Sequence, residues 1–122
     1  SGISRGYYSL NDFNVLTSWM LEKFEEEGIL ISQVELCPHG PNDACECRKP
    51  KTLMIENILK NHEIDLENSW LIGDKSSDIK CAINAKIKNT IQVKSGHEFN
   101  EKDSLASYVC QSINNVKDII LS

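Results

Sequence analysis

The sequence predicts a layered α/β domain built on a mainly parallel sheet. Two observations support this fold class: helical and extended segments alternate along the chain, and the connections between them are short. The composition agrees, because 40% of the 122 residues are hydrophobic and 25% are charged, as in soluble globular proteins. This length suits one domain and is short for two, so we expect residues 1–122 to form a single domain.

The first third of the chain predicts a helix, a strand and a loop. Ser9 is an N-cap residue type, and apolar residues follow it at helical spacing until Gly28. Residues 29–36 are rich in β-branched and apolar side chains and predict a strand. Residues 37–51 contain three prolines and no apolar periodicity, so we expect an irregular loop that needs a stabilising ligand.

The remaining two thirds predict a regular alternation of elements. A helix opens at Thr52, and a short buried strand follows at 69–74. Ser77 is expected to cap the next helix, which leads into a strand at 89–93 and a closing helix at 112–121. In such a fold the ligand site lies at the carboxyl ends of the strands.

Three cysteines and a histidine predict a zinc site in the loop. They form the pattern C-x-H-x5-C-x-C within eleven residues. The ligands are Cys37, His39, Cys45 and Cys47. Four such ligands fit tetrahedral zinc, and because the protein fills every position, the metal is expected to be structural. Free reduced thiols and a disulfide are the alternative interpretations. Cys81 and Cys110 are expected to be core thiols.

Two further clusters predict phosphate and cation binding. Arg48, Lys49 and Lys51 follow the last zinc ligand, and a guanidinium beside an ammonium suits a phosphate ester. Asp74 and Asp78 lie at the end of the predicted strand, where carboxylates bind hard cations. The alternatives are a solvated basic turn and, for the acids, helix capping.

The charge distribution excludes several partners. The chain has 13 Lys and Arg against 18 Asp and Glu, a net charge of −5, and no basic run. We therefore expect no nucleic-acid or membrane partner, and a cytoplasmic location. His97 is expected to be an ordinary surface residue, and Trp19 and Trp70 are expected to be core residues.

Three motifs carry a resemblance to a known family. They are S-G-I-S-R-G at 1–6, C-P-H-G-P-N-D-A-C-E-C-R-K-P at 37–50 and W-L-I-G-D-K-S-S-D-I at 70–79. Their order resembles the zinc-containing histidinol-phosphatase-like branch of the haloacid dehalogenase superfamily. The resemblance implies a Rossmann-like parallel sheet and Mg-dependent hydrolysis of a phosphate monoester through an aspartyl-phosphate.

The resemblance also implies roles for individual residues. Lys49 would stabilise the transferring phosphoryl group, and Asp74 would bind magnesium. The Cys/His set would hold zinc. Contact with the substrate is implied for four residues: Ser1, Arg5, Arg48 and Lys75.

One departure from the family pattern is serious. The family's nucleophile and general acid/base lie in an Asp-x-Asp motif on the first strand, and the 122 residues contain no such motif. We therefore expect the chain to be the carboxy-terminal two thirds of a phosphatase, with a sheet that is incomplete at its amino-terminal end. Such a chain is expected to be inactive alone, and either marginally stable or self-associated through the uncovered sheet.

The resemblance is strongest to phosphatases that act on D-glycero-D-manno-heptose 1,7-bisphosphate, so a sugar phosphate is the expected substrate. Histidinol phosphate is the alternative substrate, because its phosphatases share the zinc loop and Arg-Lys-Pro. The third alternative is a non-catalytic, zinc-stapled interaction module.

Overall fold

A computed structural model describes all 122 residues. The helices and strands are, in order, α1 (Leu10–Glu26), α2 (Leu53–Asn61), β1 (Trp70–Gly73), α3 (Ser76–Asn84), β2 (Asn89–Val93), β3 (Tyr108–Cys110) and α4 (Val116–Ile120). The chain divides into two compact units, the amino-terminal unit at 1–48 and the carboxy-terminal unit at 49–122. The expectation of a single domain therefore stays a prediction.

Helix α1 is the regular element of the amino-terminal unit, and it begins where the sequence predicts. The Asp12 N–H donates to Ser9 Oγ at 3.0 Å and the Ser9 N–H donates to Asp12 Oδ2 at 2.9 Å, which closes a capping box. No residue of α1 is buried, and Trp19 is 56% exposed. The prediction of a core position for Trp19 is therefore wrong, because its own unit offers no second helix or strand to cover it.

The prediction of a strand at residues 29–36 is wrong. These residues are not part of any sheet, and all three strands lie in the carboxy-terminal unit. A β-branched pattern expresses a preference for extended backbone, but a strand also requires a hydrogen-bonded neighbour.

The carboxy-terminal unit contains a parallel sheet with the order β1-β2-β3, which confirms the predicted fold class. Strand β1 is an edge strand, and Ile72 within it is 37% exposed, so this strand is only half buried rather than buried as predicted. Strand β3 was not expected, because three residues are too few to give a periodic pattern.

The helices of this unit follow the prediction with two corrections. Helix α2 begins after Thr52 as expected. The N-cap of α3 is Lys75 and not Ser77, because the Lys75 N–H donates to the Asp78 side chain at 3.1 Å and closes the first turn there. The closing helix is shorter than predicted: a 3-10 turn at Ile113–Asn115 precedes the five residues of α4.

The core lies around β2. Ile91, Val93 and Val116 form a buried cluster, with Trp70 packed against it as predicted. Helix α3 packs on β1 and β2 and buries Cys81, whose predicted core position is confirmed. Cys110 is half buried, because it lies on the short edge strand β3.

Candidate functional site

The four predicted metal ligands converge in the amino-terminal unit. One donor atom from each of Cys37, His39, Cys45 and Cys47 lies within 4.8 Å of the other three. Cys37 Sγ is 3.7 Å from His39 Nδ1 and 3.9 Å from Cys45 Sγ, and His39 Nδ1 is 3.3 Å from Cys47 Sγ. The cysteines are free thiols, so a disulfide is not formed.

This geometry fits zinc. Bond lengths of about 2.3 Å to sulfur and about 2.0–2.1 Å to nitrogen give tetrahedron edges of roughly 3.5–3.8 Å. The three separations of 3.3 to 3.9 Å bracket those edges. The donor set also fits, because thiolate and imidazole are the ligands of structural zinc.

Two thiols of the cluster have pKa values that depart from the ordinary value. Burial and the neighbouring thiols raise the pKa of Cys47 to about 12. Burial also raises the pKa of Cys45, but hydrogen bonds, the first of them from the Arg48 N–H, bring that pKa below its ordinary value. Cys47 thus resists ionisation more than an ordinary thiol does, and its neighbour Cys45 resists it less. A divalent cation would remove that resistance, because it neutralises adjacent thiolates.

The loop between the ligands is shaped by Asp43. Its Oδ2 accepts the Gly40 N–H at 2.7 Å and the Ser4 hydroxyl at 3.1 Å. Gly40 is buried, and a Cβ atom there would lie 2.8 Å from Ser4 Oγ, so a larger residue at this position would have to displace the Ser4 side chain. The first of these hydrogen bonds, from Gly40, is the main cause that lowers the pKa of Asp43.

Three candidate substrate-binding residues belong to the same unit. Arg48 Nη1 donates to the carbonyl oxygen of His39 at 3.3 Å, which ties the guanidinium to the metal loop. Ser1 and Arg5 lie in a turn closed by the Arg5 N–H, which donates to the Ser1 carbonyl at 2.9 Å. Both residues are exposed.

In the carboxy-terminal unit, the Lys49 ammonium forms an ion pair with Asp78. Asp78 is 6% exposed and also accepts the Lys75 N–H. Gly73 makes room for it, because a Cβ atom there would lie 2.5 Å from that of Asp78. Asp78 is therefore not a solvated acid. It closes the first turn of α3 and also binds the Lys49 ammonium. The sequence carried a signal for it in the pattern Gly-Asp-x-x-x-Asp, but its pairing with Lys49 was missed.

Asp74 lies at the carboxyl end of β1, as predicted. Its Oδ2 is 2.5 Å from Nδ1 of His97, a residue that is exposed as expected but whose contact with Asp74 was missed. Burial raises the pKa of Asp74, but the His97 hydrogen bond and smaller contributions outweigh burial and lower it. Gly96 has φ +119°, and a Cβ atom there would lie 2.6 Å from Asp74 Oδ2.

A buried glutamine supports the same carboxyl end of the sheet. Gln92 is 2% exposed, and its Nε2 donates to the Asp74 carbonyl at 3.3 Å. Its Oε1 accepts the Ser104 hydroxyl at 2.5 Å. The sequence signal for this contact was a polar residue between the two apolar residues Ile91 and Val93.

The carboxy-terminal unit places one ammonium and two carboxylates near the carboxyl end of β1, and the ammonium is paired with one of the carboxylates. Lys49 is positioned by Asp78, and Asp74 offers a half-buried carboxylate that could hold a hard cation. The Lys75 side chain is exposed at the same strand end. No helix of the structure is both long enough and apolar enough to cross a membrane.

The chain is similar to proteins that are named as heptose-bisphosphate phosphatases and to one that is named for histidine biosynthesis. A 7-phosphatase for D-glycero-beta-D-manno-heptose 1,7-bisphosphate from Helicobacter pylori is 47% identical over 75% of this chain and 53% of its own length. The enzyme of that name from Pasteurella multocida is 37% identical over 98% of this chain and 69% of its own length. The bifunctional histidine biosynthesis protein of Blochmanniella floridana is 40% identical over 72% of this chain and 25% of its own length.

The fold is also similar to that of a solved phosphatase structure. The D,D-heptose 1,7-bisphosphate phosphatase of B. bronchiseptica, complexed with magnesium and phosphate, matches with a TM-score of 0.78 and 25% identity, covering 99% of this chain and 69% of that one. The chain spans about half the length of the Helicobacter pylori relative. The HAD-hydrolase-like family model matches residues 46–116. By these matches, the chain belongs to the haloacid dehalogenase-like hydrolases.

Proposed function

We propose that the protein is a phosphatase that removes the 7-phosphate of D-glycero-D-manno-heptose 1,7-bisphosphate. The observation that carries the proposal is the Lys49 ammonium, held by the buried Asp78 at the strand end where Asp74 also lies. Lys49 comes two residues after the last ligand of the cysteine and histidine set. Relatives that are named for this reaction support the choice of substrate.

Within this proposal, Lys49 compensates the negative charge that spreads over the phosphoryl oxygens in the transition state. Asp78 positions the ammonium, and the half-buried Asp74 carboxylate would hold Mg²⁺. That ion supplies positive charge next to the phosphate. Four residues would contact the rest of the substrate: Ser1, Arg5, Arg48 and Lys75.

The metal loop has a structural role in the proposal. Cys37, His39, Cys45 and Cys47 would hold zinc and leave no position for an activated water. All five cysteines are free thiols, which suits a reducing compartment such as the cytoplasm.

The nucleophile is proposed to lie outside the 122 residues. The family's Asp-x-Asp motif does not occur among them, and the chain alone is therefore expected to release no phosphate. Hydrolysis through an aspartyl-phosphate would require a segment that carries this motif.

The proposal is tested by phosphate release from a panel of substrates. The chain is assayed alone and joined to an amino-terminal segment that contains Asp-x-Asp, with heptose 1,7-bisphosphate and histidinol phosphate at several Mg²⁺ concentrations. If the proposal is right, phosphate is released from heptose 1,7-bisphosphate by the joined protein and not by the 122 residues alone. Metal-dependent turnover by the 122 residues alone would refute the proposed nucleophile.

A second candidate substrate is histidinol phosphate. The match to the Blochmanniella floridana histidine biosynthesis protein supports it. Preferential turnover of histidinol phosphate in the panel would select this candidate. If the joined protein releases phosphate from neither substrate but binds zinc, the third interpretation, a zinc-stapled interaction module, replaces both.

A further inference from the structure

One side-chain hydrogen bond joins the two segments of the amino-terminal unit that carry candidate site residues. The Ser4 hydroxyl donates to Asp43 Oδ2, and the same oxygen accepts the Gly40 N–H. Ser4 lies in the turn at 1–7, and Asp43 lies in the metal loop between His39 and Cys45. A single carboxylate oxygen therefore holds both segments.

The two segments are also in close steric contact. The space that a Cβ atom of Gly40 would occupy is filled by the side chain of Ser4, whose Oγ and Cβ lie 2.8 and 3.5 Å from that position. The Asp43 N–H donates to the Gly40 carbonyl at 3.1 Å, which fixes the turn that presents the carboxylate. A displacement of the loop at Gly40 would therefore displace Ser4 as well.

We infer that zinc binding in the loop orders the turn at 1–7 through Asp43 and Ser4, which are positioning residues for Ser1 and Arg5. A metal that fixes His39 and Cys45 also fixes the short turn between them and thereby the carboxylate that accepts the Ser4 hydroxyl. The inference rests on the proposed function, since it takes zinc as the occupant of the loop and the turn as a substrate contact. Because coupling is reciprocal, an anchored turn must strengthen zinc binding by the same factor.

Hydrogen exchange tests the coupling without any substrate. The reporters are the backbone amides of Arg5, Gly6 and Tyr7, which donate hydrogen bonds within the turn. Exchange is followed with zinc bound and after its removal by a chelator, in the wild type, in Ser4→Ala and in the control Ser32→Ala, which replaces an exposed serine of the same unit.

We expect zinc removal to speed exchange of these amides several-fold in the wild type and in the control. In Ser4→Ala the exchange should be fast with zinc still bound, and zinc removal should add little to it. This comparison in the zinc-bound state holds even if zinc removal unfolds the whole unit. Unchanged exchange in zinc-bound Ser4→Ala would overturn the inference.

Zinc affinity provides the reciprocal measurement. By competition with a chelator, Ser4→Ala should bind zinc more weakly by about two- to fivefold, the effect of losing one hydrogen bond. Equal affinity in Ser4→Ala and the wild type would overturn the coupling alone. A wild-type chain that binds no zinc would overturn both the coupling and the zinc assignment of the proposed function.

Discussion

Replacement of Asp78 tests whether this buried carboxylate organises the carboxy-terminal unit. Asp78→Ala removes the acceptor of two hydrogen bonds, one from the Lys75 N–H and one from the Lys49 ammonium. A hydrogen bond to a charged group contributes about 1.5–3 kcal/mol, and an ion pair exposed to water contributes about 0–1 kcal/mol. The Lys49 side chain is 45% exposed, so we expect the Lys49–Asp78 contact to contribute about 0–1 kcal/mol, as an exposed ion pair does. We expect the free energy of unfolding to fall by about 2–3 kcal/mol.

Urea unfolding measures this loss. In a Trp19→Phe background, Trp70 is the remaining tryptophan and reports on the carboxy-terminal unit. With a slope of about 1–3 kcal/mol per molar urea, the unfolding midpoint should fall by about 0.7–3 M, and the slope should not change. Asp78→Asn, which keeps an acceptor, should lose about half as much. Asp103→Ala, at an exposed acid of the same unit, is the matched control. An Asp78→Ala midpoint equal to that of the control would refute the reasoning.

Three further predictions concern the metal loop, the strand end and helix α1. Cys45→Ser should reduce bound zinc well below one ion per chain by elemental analysis, because a tetrahedral site loses one ligand; full zinc content would contradict this. Gly96→Ala should lower the unfolding free energy by about 1–3 kcal/mol, because its φ is positive and Asp74 fills the space of a Cβ atom; an unchanged urea midpoint would refute it. Hydrogen bonds from the N–H and hydroxyl of Ser9 lower the pKa of Asp12, so this carboxylate stabilises α1 above its ordinary pKa of 3.8 and loses that effect as the pH falls through the lowered value. Helical circular dichroism of Asp12→Asn should therefore be weaker than wild type at neutral pH and equal to it in acid, and an equal difference at both pH values would contradict this.

The metal cluster was predictable because its ligands are close in sequence. Cys37 and Cys47 bound a segment of eleven residues, so the loop can bring their side chains together without help from the rest of the fold. Helix α1 was predictable for a similar reason, since its capping box uses Ser9 and Asp12 only.

Contacts between residues that are distant in sequence could not be predicted from the sequence alone. Lys49 and Asp78 are 29 residues apart, and their pairing depends on where α3 begins. His97 and Asp74 meet because two parallel strands end at the same edge of the sheet, and their side chains gave no periodic signal. The strand predicted at 29–36 failed for the opposite reason: its local preference was clear, but strand formation depends on a neighbouring strand.

The most direct test of the central claim is phosphate release from heptose 1,7-bisphosphate by the joined protein in which Lys49 is changed to Met. Lys102→Met, at an exposed lysine of the same unit, is the control. We predict that Lys49→Met lowers kcat by about 100-fold or more, because the variant lacks the charge that stabilises the phosphoryl oxygens, while the control keeps the wild-type rate. A kcat for Lys49→Met within a few-fold of the control would contradict the assignment of this ammonium to phosphoryl transfer.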